Sequence, residues 1–151
     1  MSELPAITEL VPHAGPMCLL DRVLAAERER LSAEVVVPAQ GLFSHDGGVG
    51  AWVGIEYMAQ AVAAWAGWQA RAAGEPPRIG LLLGTRRYRC GVPRFMVGQR
   101  LRIDIERAYQ ADNGLGQFDC RIHADGVELA SATLTVFGPE DPSAFLNGEE
   151  P

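Results

Sequence analysis

Residues 51–68, AWVGIEYMAQAVAAWAGW, read as one apolar helix that nevertheless holds a carboxylic acid, Glu56, one turn from an amide, Gln60. A buried ionised carboxylate is costly unless paired, so an acid in such a segment is protonated, partnered or used in chemistry. The helix is apolar almost all round, which is the mark of a helix wrapped by its own protein. By three-and-four spacing Val53, Glu56, Gln60, Ala63 and Gly67 share a narrow face that allows a strand or loop to approach closely. Trp52, Ile55, Met58, Val62 and Trp65 or Ala66 supply bulk elsewhere, and Trp52, Trp65 and Trp68 are expected in the core. From Gly47 to Ala70 only Glu56 is charged, nearly the length of a membrane span. The abundance of Ala and Gly and the cost of a Glu at that depth argue against one.

Outward from the helix, the chain reads as strands. Residues 17–37 form two extended segments joined near Arg28 to Ser32, and GLFSHDGGVG, residues 41–50, is a loop by its glycines. Gly74 and the two prolines after it stop the helix. RIGLLLGTRRYRC begins a second strand set, and QRLRIDIERAY alternates Leu101, Ile103 and Ile105 with Arg102, Asp104 and Glu106, the period of a half-buried strand. DNGLG at 112–116 and ADG at 124–126 are turns flanking further strands. One long helix with five or six antiparallel strands predicts an α+β domain whose sheet curls round the helix. A single domain is expected over residues 1–137, followed by a flexible, Pro- and acid-rich tail at 138–151.

Composition narrows the function. The chain of 151 residues is 48% hydrophobic, enough for a real core, and its net charge of −6 argues against nucleic acid or an anionic membrane as partner. All 13 basic residues are arginine. Cys18, Cys90 and Cys120 are odd in number and widely spaced, which predicts reduced thiols in a cytoplasmic protein and no zinc site. The N-terminus has no basic start followed by an apolar core, so no signal peptide is expected. With no metal-spaced His/Cys set and no phosphate-binding glycine loop, neither metal nor cofactor is called for.

Three stretches carry a resemblance. LVPHAGPMCLLDRVL (10–24), IEYMAQAVA (55–63) and RIGLLLGTRRYRCGVPRFMVGQRLRIDI (78–105) are similar to the beta-hydroxyacyl-acyl-carrier-protein dehydratases of the hotdog fold. AWVGIEYMAQ resembles the ApeP-like branch, linked to aryl polyene lipid assembly. The resemblance runs from Leu10 to Phe137 and implies a curved antiparallel sheet round a central helix, an acyl carrier protein as partner, and a homodimer.

Dehydration of a 3-hydroxyacyl thioester needs a base for the α proton, an acid for the departing hydroxyl and donors for the carbonyl where charge builds. The resemblance puts Glu56 at the acid position and the Ala51 N–H, near the helix start, at the carbonyl, with Gln60 orienting the acid. The family's loop histidine falls fourteen residues before the acid, where this chain has Leu42; His45 lies eleven before it. The expected base is His45, which a shortened loop brings from one protomer to Glu56 of the other to take the α proton; the alternative is that the base is lost. His13 is expected to fix a turn, and His123 to be a solvated strand end. Eight arginines lie between Arg78 and Arg107, and Arg86, Arg87, Arg89 and Arg94 are candidates to steer an acidic carrier protein. The main expectation is a trans-2-enoyl product. The alternatives are a hotdog acyl thioesterase and a non-catalytic acyl-binding partner subunit.

Overall fold

The structure, a computed structural model, describes residues 4–13, 15–75 and 81–138. A short helix α1 (Ile7–Leu10) and a 3-10 turn (Gly15–Met17) precede β1 (Arg22–Ala26), β2 (Arg30–Val36) and β3 (Gly48–Gly50). The long helix α2 (Val53–Ala72) follows, then β4 (Leu81–Cys90), β5 (Arg94–Met96), β6 (Arg100–Gln110), β7 (Leu115–Ala124) and β8 (Val127–Phe137). Six strands form one antiparallel sheet in the order β1-β2-β6-β7-β8-β4, and β3 pairs with β5 separately. The sheet is curved, with α2 packed on it and touching all six of its strands, the α+β hotdog arrangement expected above.

Alternation explains the sheet. Leu101, Ile103 and Ile105 of β6 are buried, flanked in register by Leu31 and Ala33 of β2 and by Cys120 and Ile122 of β7. The β7–β8 hairpin turns at Asp125-Gly126, both at positive φ, which matches the twist of the flanking strands. On the other face Glu34 is buried and held by Arg100 at 2.7 Å and by Arg22. These guanidinium hydrogen bonds, Arg100 first, hold the Glu34 carboxyl below the ordinary carboxylate range.

Helix α2 ends at Gly74, as its sequence foretells. Gly74 sits at φ +71°, its N–H donates to Arg71 O at 3.1 Å, and the Glu75 N–H donates to Ala70 O at 2.8 Å. That pairing satisfies carbonyls the helix would otherwise leave open. Among the described residues no helix is long and apolar enough to cross a membrane. The expected tail falls, apart from Gly138, outside the described residues.

One finding departs from the reading of the helix and a second completes it. Trp65 is buried, but Trp52 is 60% exposed at the N-terminal end of α2, edge-on to Phe43 with centroids 5.1 Å apart. Its position just before the helix carries it past the sheet, so it is not core. The second is what covers the narrow face: the N-terminal segment. A Cβ on Gly67 would lie 2.1 Å from the Leu10 carbonyl oxygen, so only glycine there lets α1 lie against α2.

Candidate active site

Along α2 the side chains of Glu56, Ala59, Ala63, Ala66, Ala70 and Ala73 line one side of a cavity of about 570 Å³. Their spacing of three and four residues makes a single stripe of about 25 Å at the helical rise. Alanine cannot reach across to the sheet, so the stripe leaves space that Phe118, Val136 and Leu82 bound from the other side. The far part is fixed by Trp65, which meets Phe118 edge-to-face at 5.1 Å and donates from Nε1 to the Arg28 carbonyl at 3.3 Å. The Arg107 guanidinium stands 5.3 Å from the Trp65 ring centroid and pairs with Glu29 at 3.1 Å. Arg107 and Gln110 also line the cavity. The result is a mainly apolar slot whose polar lining is His13, Glu56, Gln69, Glu75, Arg107 and Gln110, the kind of cavity in which small-molecule sites occur.

The stripe begins at an acid and a histidine. Glu56 Oε1 lies 3.6 Å from His13 Nε2, with the Glu56 side chain 35% and the His13 side chain 26% exposed; both line the cavity. Gln60 explains how they meet. Its Oε1 accepts the Leu19 N–H at 2.8 Å, while its Nε2 donates to the Met17 carbonyl at 2.7 Å and to Glu56 Oε1 at 3.2 Å. The amide that looked out of place in an apolar helix therefore ties the N-terminal segment to the acid. The His13 Nδ1 is buried and has no hydrogen-bond partner among the described residues.

The remaining expected residues lie elsewhere. His45 does not line the Glu56 cavity. It opens a tight hairpin in which Asp46 and Gly47 have φ of +50° and +79°, closed by His45 N–H to Gly48 O at 2.8 Å. Its side chain is 73% exposed and sits 2.9 Å from Asp46 Oδ2. The stretch read as a pliable loop is thus pinned at this point. Arg94 pins it further, donating to the His45 carbonyl. Arg94 is half-buried and engaged, unlike Arg86, Arg87 and Arg89, which are exposed on the edge strand β4. The Ala51 N–H, expected to receive a thioester carbonyl, donates to Pro93 O at 3.1 Å, because the β3–β5 pairing continues to that point; the Ala51 carbonyl accepts from Tyr88 Oη. His123 Nδ1 lies 3.2 Å from Asp104 and is buried, so it is not a solvated strand end.

Sequence reasoning gave His13 a turn and overlooked Arg107, Gln110 and Phe118. The small face of α2 was the available signal that some segment packs there. Which segment was not readable. Among the described residues no group of three or more His, Cys, Asp or Glu could hold a metal ion. Cys18, Cys90 and Cys120 are free thiols, and burial, with Asp119 nearby, pushes the Cys120 thiol well above its ordinary range.

Comparison with known proteins bears on this geometry. The profile of the ApeP-like family, described as ApeP dehydratase, matches residues 5–147. Among solved structures, a chain of the dehydratase heterocomplex ApeI:P from Xenorhabdus doucetiae superposes with a TM-score of 0.88 at 29% identity, covering 98% of this chain and 100% of that one. A hypothetical thioesterase with coenzyme A from Streptococcus pneumoniae gives 0.61 at 14% identity, over 78% of this chain and 84% of that one. The PaaI protein of E. coli, from a phenylacetic acid degradation operon, gives 0.61 at 13%, over 76% and 80%. These last two show the fold alone. No curated protein matches the chain.

Proposed function

The chain belongs to the ApeP-like dehydratase family, and from that premise we propose that it converts 3-hydroxyacyl thioesters on an acyl carrier protein to trans-2-enoyl thioesters. The observation that carries the reading is the placement of Glu56 at the start of an alanine stripe about 25 Å long that lines one side of the cavity, with Trp65, Phe118, Leu82 and Val136 also bounding it. An acyl tail fits along the alanine stripe, which brings the hydroxyl-bearing carbon to the carboxyl group. Glu56 then supplies the proton with which the β hydroxyl leaves as water. An extended, unbranched tail, as in fatty acid or aryl polyene-type lipid assembly, suits the shape.

Exposed Arg86, Arg87 and Arg89 support an acidic carrier as the donor, although the chain as a whole is acidic. The free edge of β4 supports pairing with a second hotdog subunit. That subunit is either another copy or a related chain, as the name of the ApeI:P heterocomplex illustrates for its own members. Three free cysteines are consistent with a cytoplasmic setting.

A 3-hydroxyacyl thioester assay, reading conjugated enoyl product and free thiol together, tests the reaction. The expected result is enoyl thioester with the thiol still esterified, lost in Glu56→Gln by about 10²-fold or more. Thiol release would make the protein a thioesterase. An unchanged rate in Glu56→Gln, with the assembly intact, would make this chain the non-catalytic partner. His45→Ala in the assembled protein tests whether a neighbouring subunit's hairpin delivers the base: a similar fall says that it does.

A further inference from the structure

Resting on that reading, we propose that His13 is a positioning residue whose Nε2–H holds Glu56, so that this one carboxylate takes the α proton and then delivers it to the departing hydroxyl. The structure seats His13 with unusual care. Gly67 admits the Leu10 backbone on one side of it, and Gln60 clamps Met17 and Leu19 on the other. A turn-forming histidine has no need of either. The contact reached is Nε2 to Oε1 at 3.6 Å, outside hydrogen-bond distance in the free protein. Catalytic contacts are often long before substrate binds, and the proposal requires this one to close in the substrate complex.

The tautomer follows from the other nitrogen. His13 Nδ1 is buried with no acceptor among the described residues, and a buried orphan N–H is rarer than a bare lone pair, so the proton of neutral His13 is assigned to Nε2, facing Glu56. A neutral imidazole with its proton on Nε2 has no lone pair there with which to act as base. At that nitrogen it can only donate, so of these two groups it is the carboxylate that moves the proton. The step balances with one group. Glu56 takes the proton from Cα, and the electrons of that bond pass into the thioester enolate. They return to form the double bond as the C–O bond breaks, and the protonated Glu56 gives its proton to the leaving oxygen. Water and the enoyl thioester depart, and the carboxylate is restored. Both transfers fall on one face of the substrate, which predicts a syn elimination.

The test compares His13→Ala with His13→Gln. A glutamine amide can place an N–H near the position of Nε2, but it cannot act as a base. Dehydration in His13→Ala is expected to fall by about 10²-fold in kcat with little change in KM, the scale of a misaimed catalytic group, and His13→Gln is expected to recover most of it. If Gln is as poor as Ala and one limb of the pH profile vanishes in both, His13 is the base and the proposal fails. It also fails if Ala matches the wild type. Nitrogen-15 shifts of labelled histidine provide a readout that does not depend on turnover. His13 is expected in the Nε2–H form and to respond to Glu56→Gln. The Nδ1–H form, or no response, overturns the proposal even if the protein proves to be no dehydratase. Absence of turnover in the wild type, with the expected shifts present, counts against the dehydratase reading instead.

Discussion

Replacing Gln60 with leucine removes the joint between the N-terminal segment and the helix while keeping volume roughly constant. Gln60 is fully buried, and its amide meets two backbone groups, the Leu19 N–H at 2.8 Å and the Met17 carbonyl at 2.7 Å. Leucine offers neither a donor nor an acceptor. A group left unpaired costs about 1–3 kcal/mol where water cannot reach it; Leu19 is half-buried and Met17 partly exposed, and a hydrocarbon side chain transfers better, so the net loss is about 2 kcal/mol or more. For a chain of this size that corresponds to a fall in Tm of roughly 5 °C or more. Thermal unfolding followed by circular dichroism measures the loss, and hydrogen exchange at the Leu19 amide locates it. Gln60→Glu separates the two bonds. It keeps an acceptor for Leu19, loses the donation to Met17, and sets a second carboxylate beside Glu56, so it is expected to be destabilised as well. If Gln60→Leu melts within about 0.5 kcal/mol of the wild type and the Leu19 amide stays protected, the clamp is not what holds the segment.

Three further outcomes follow from the same geometry. Gly67→Ala should gain roughly 1 kcal/mol in helix propensity yet lose activity, because the added Cβ meets the Leu10 carbonyl at 2.1 Å and must push the segment that bears His13 off the helix; enhanced exchange at residues 7–11 with reduced turnover would show it. Ala66→Phe should obstruct the slot partway along the stripe, so turnover of long-chain thioesters should fall while short-chain turnover persists, a contrast read from kcat/KM across a chain-length series. Glu34, whose folded-state pKa is lowered by Arg100 and Arg22, adds stability above the unfolded carboxylate pKa and loses it as pH falls through the folded value. Glu34→Gln should therefore be less stable than the wild type at neutral pH, and the gap should close in acid; unfolding curves across pH check the sign.

Local signals in the sequence reached the elements and stopped at their assembly. Helix α2 was legible because Gly74 and the apolar run mark it without reference to other parts of the chain, and β6 because Leu101, Ile103 and Ile105 alternate. The Asp125-Gly126 turn was legible because two positive-φ positions in succession need such residues. Glu56 stood out as the only charged residue from Gly47 to Ala70. His13 did not, since what brings it to Glu56 is a pair of contacts between Gln60 and residues 41 and 43 positions earlier, and no local pattern encodes those. Trp52 misled for a similar reason. An aromatic residue in an apolar run reads as core, yet its place just outside the first helical turn leaves it on the surface. The cavity was legible only as alanines, which look equally like tight packing until the sheet's distance is known.

The most direct test of the account is a crystal structure of the protein with a non-hydrolysable 3-hydroxyacyl pantetheine thioether. The account predicts the hydroxyl oxygen within about 2.6–3.2 Å of Glu56, hydrogen-bonded to its carboxyl group, and the tail laid past Ala59, Ala63 and Ala66 towards Trp65. A ligand whose hydroxyl lies away from Glu56, or whose tail runs outside that slot, would contradict it.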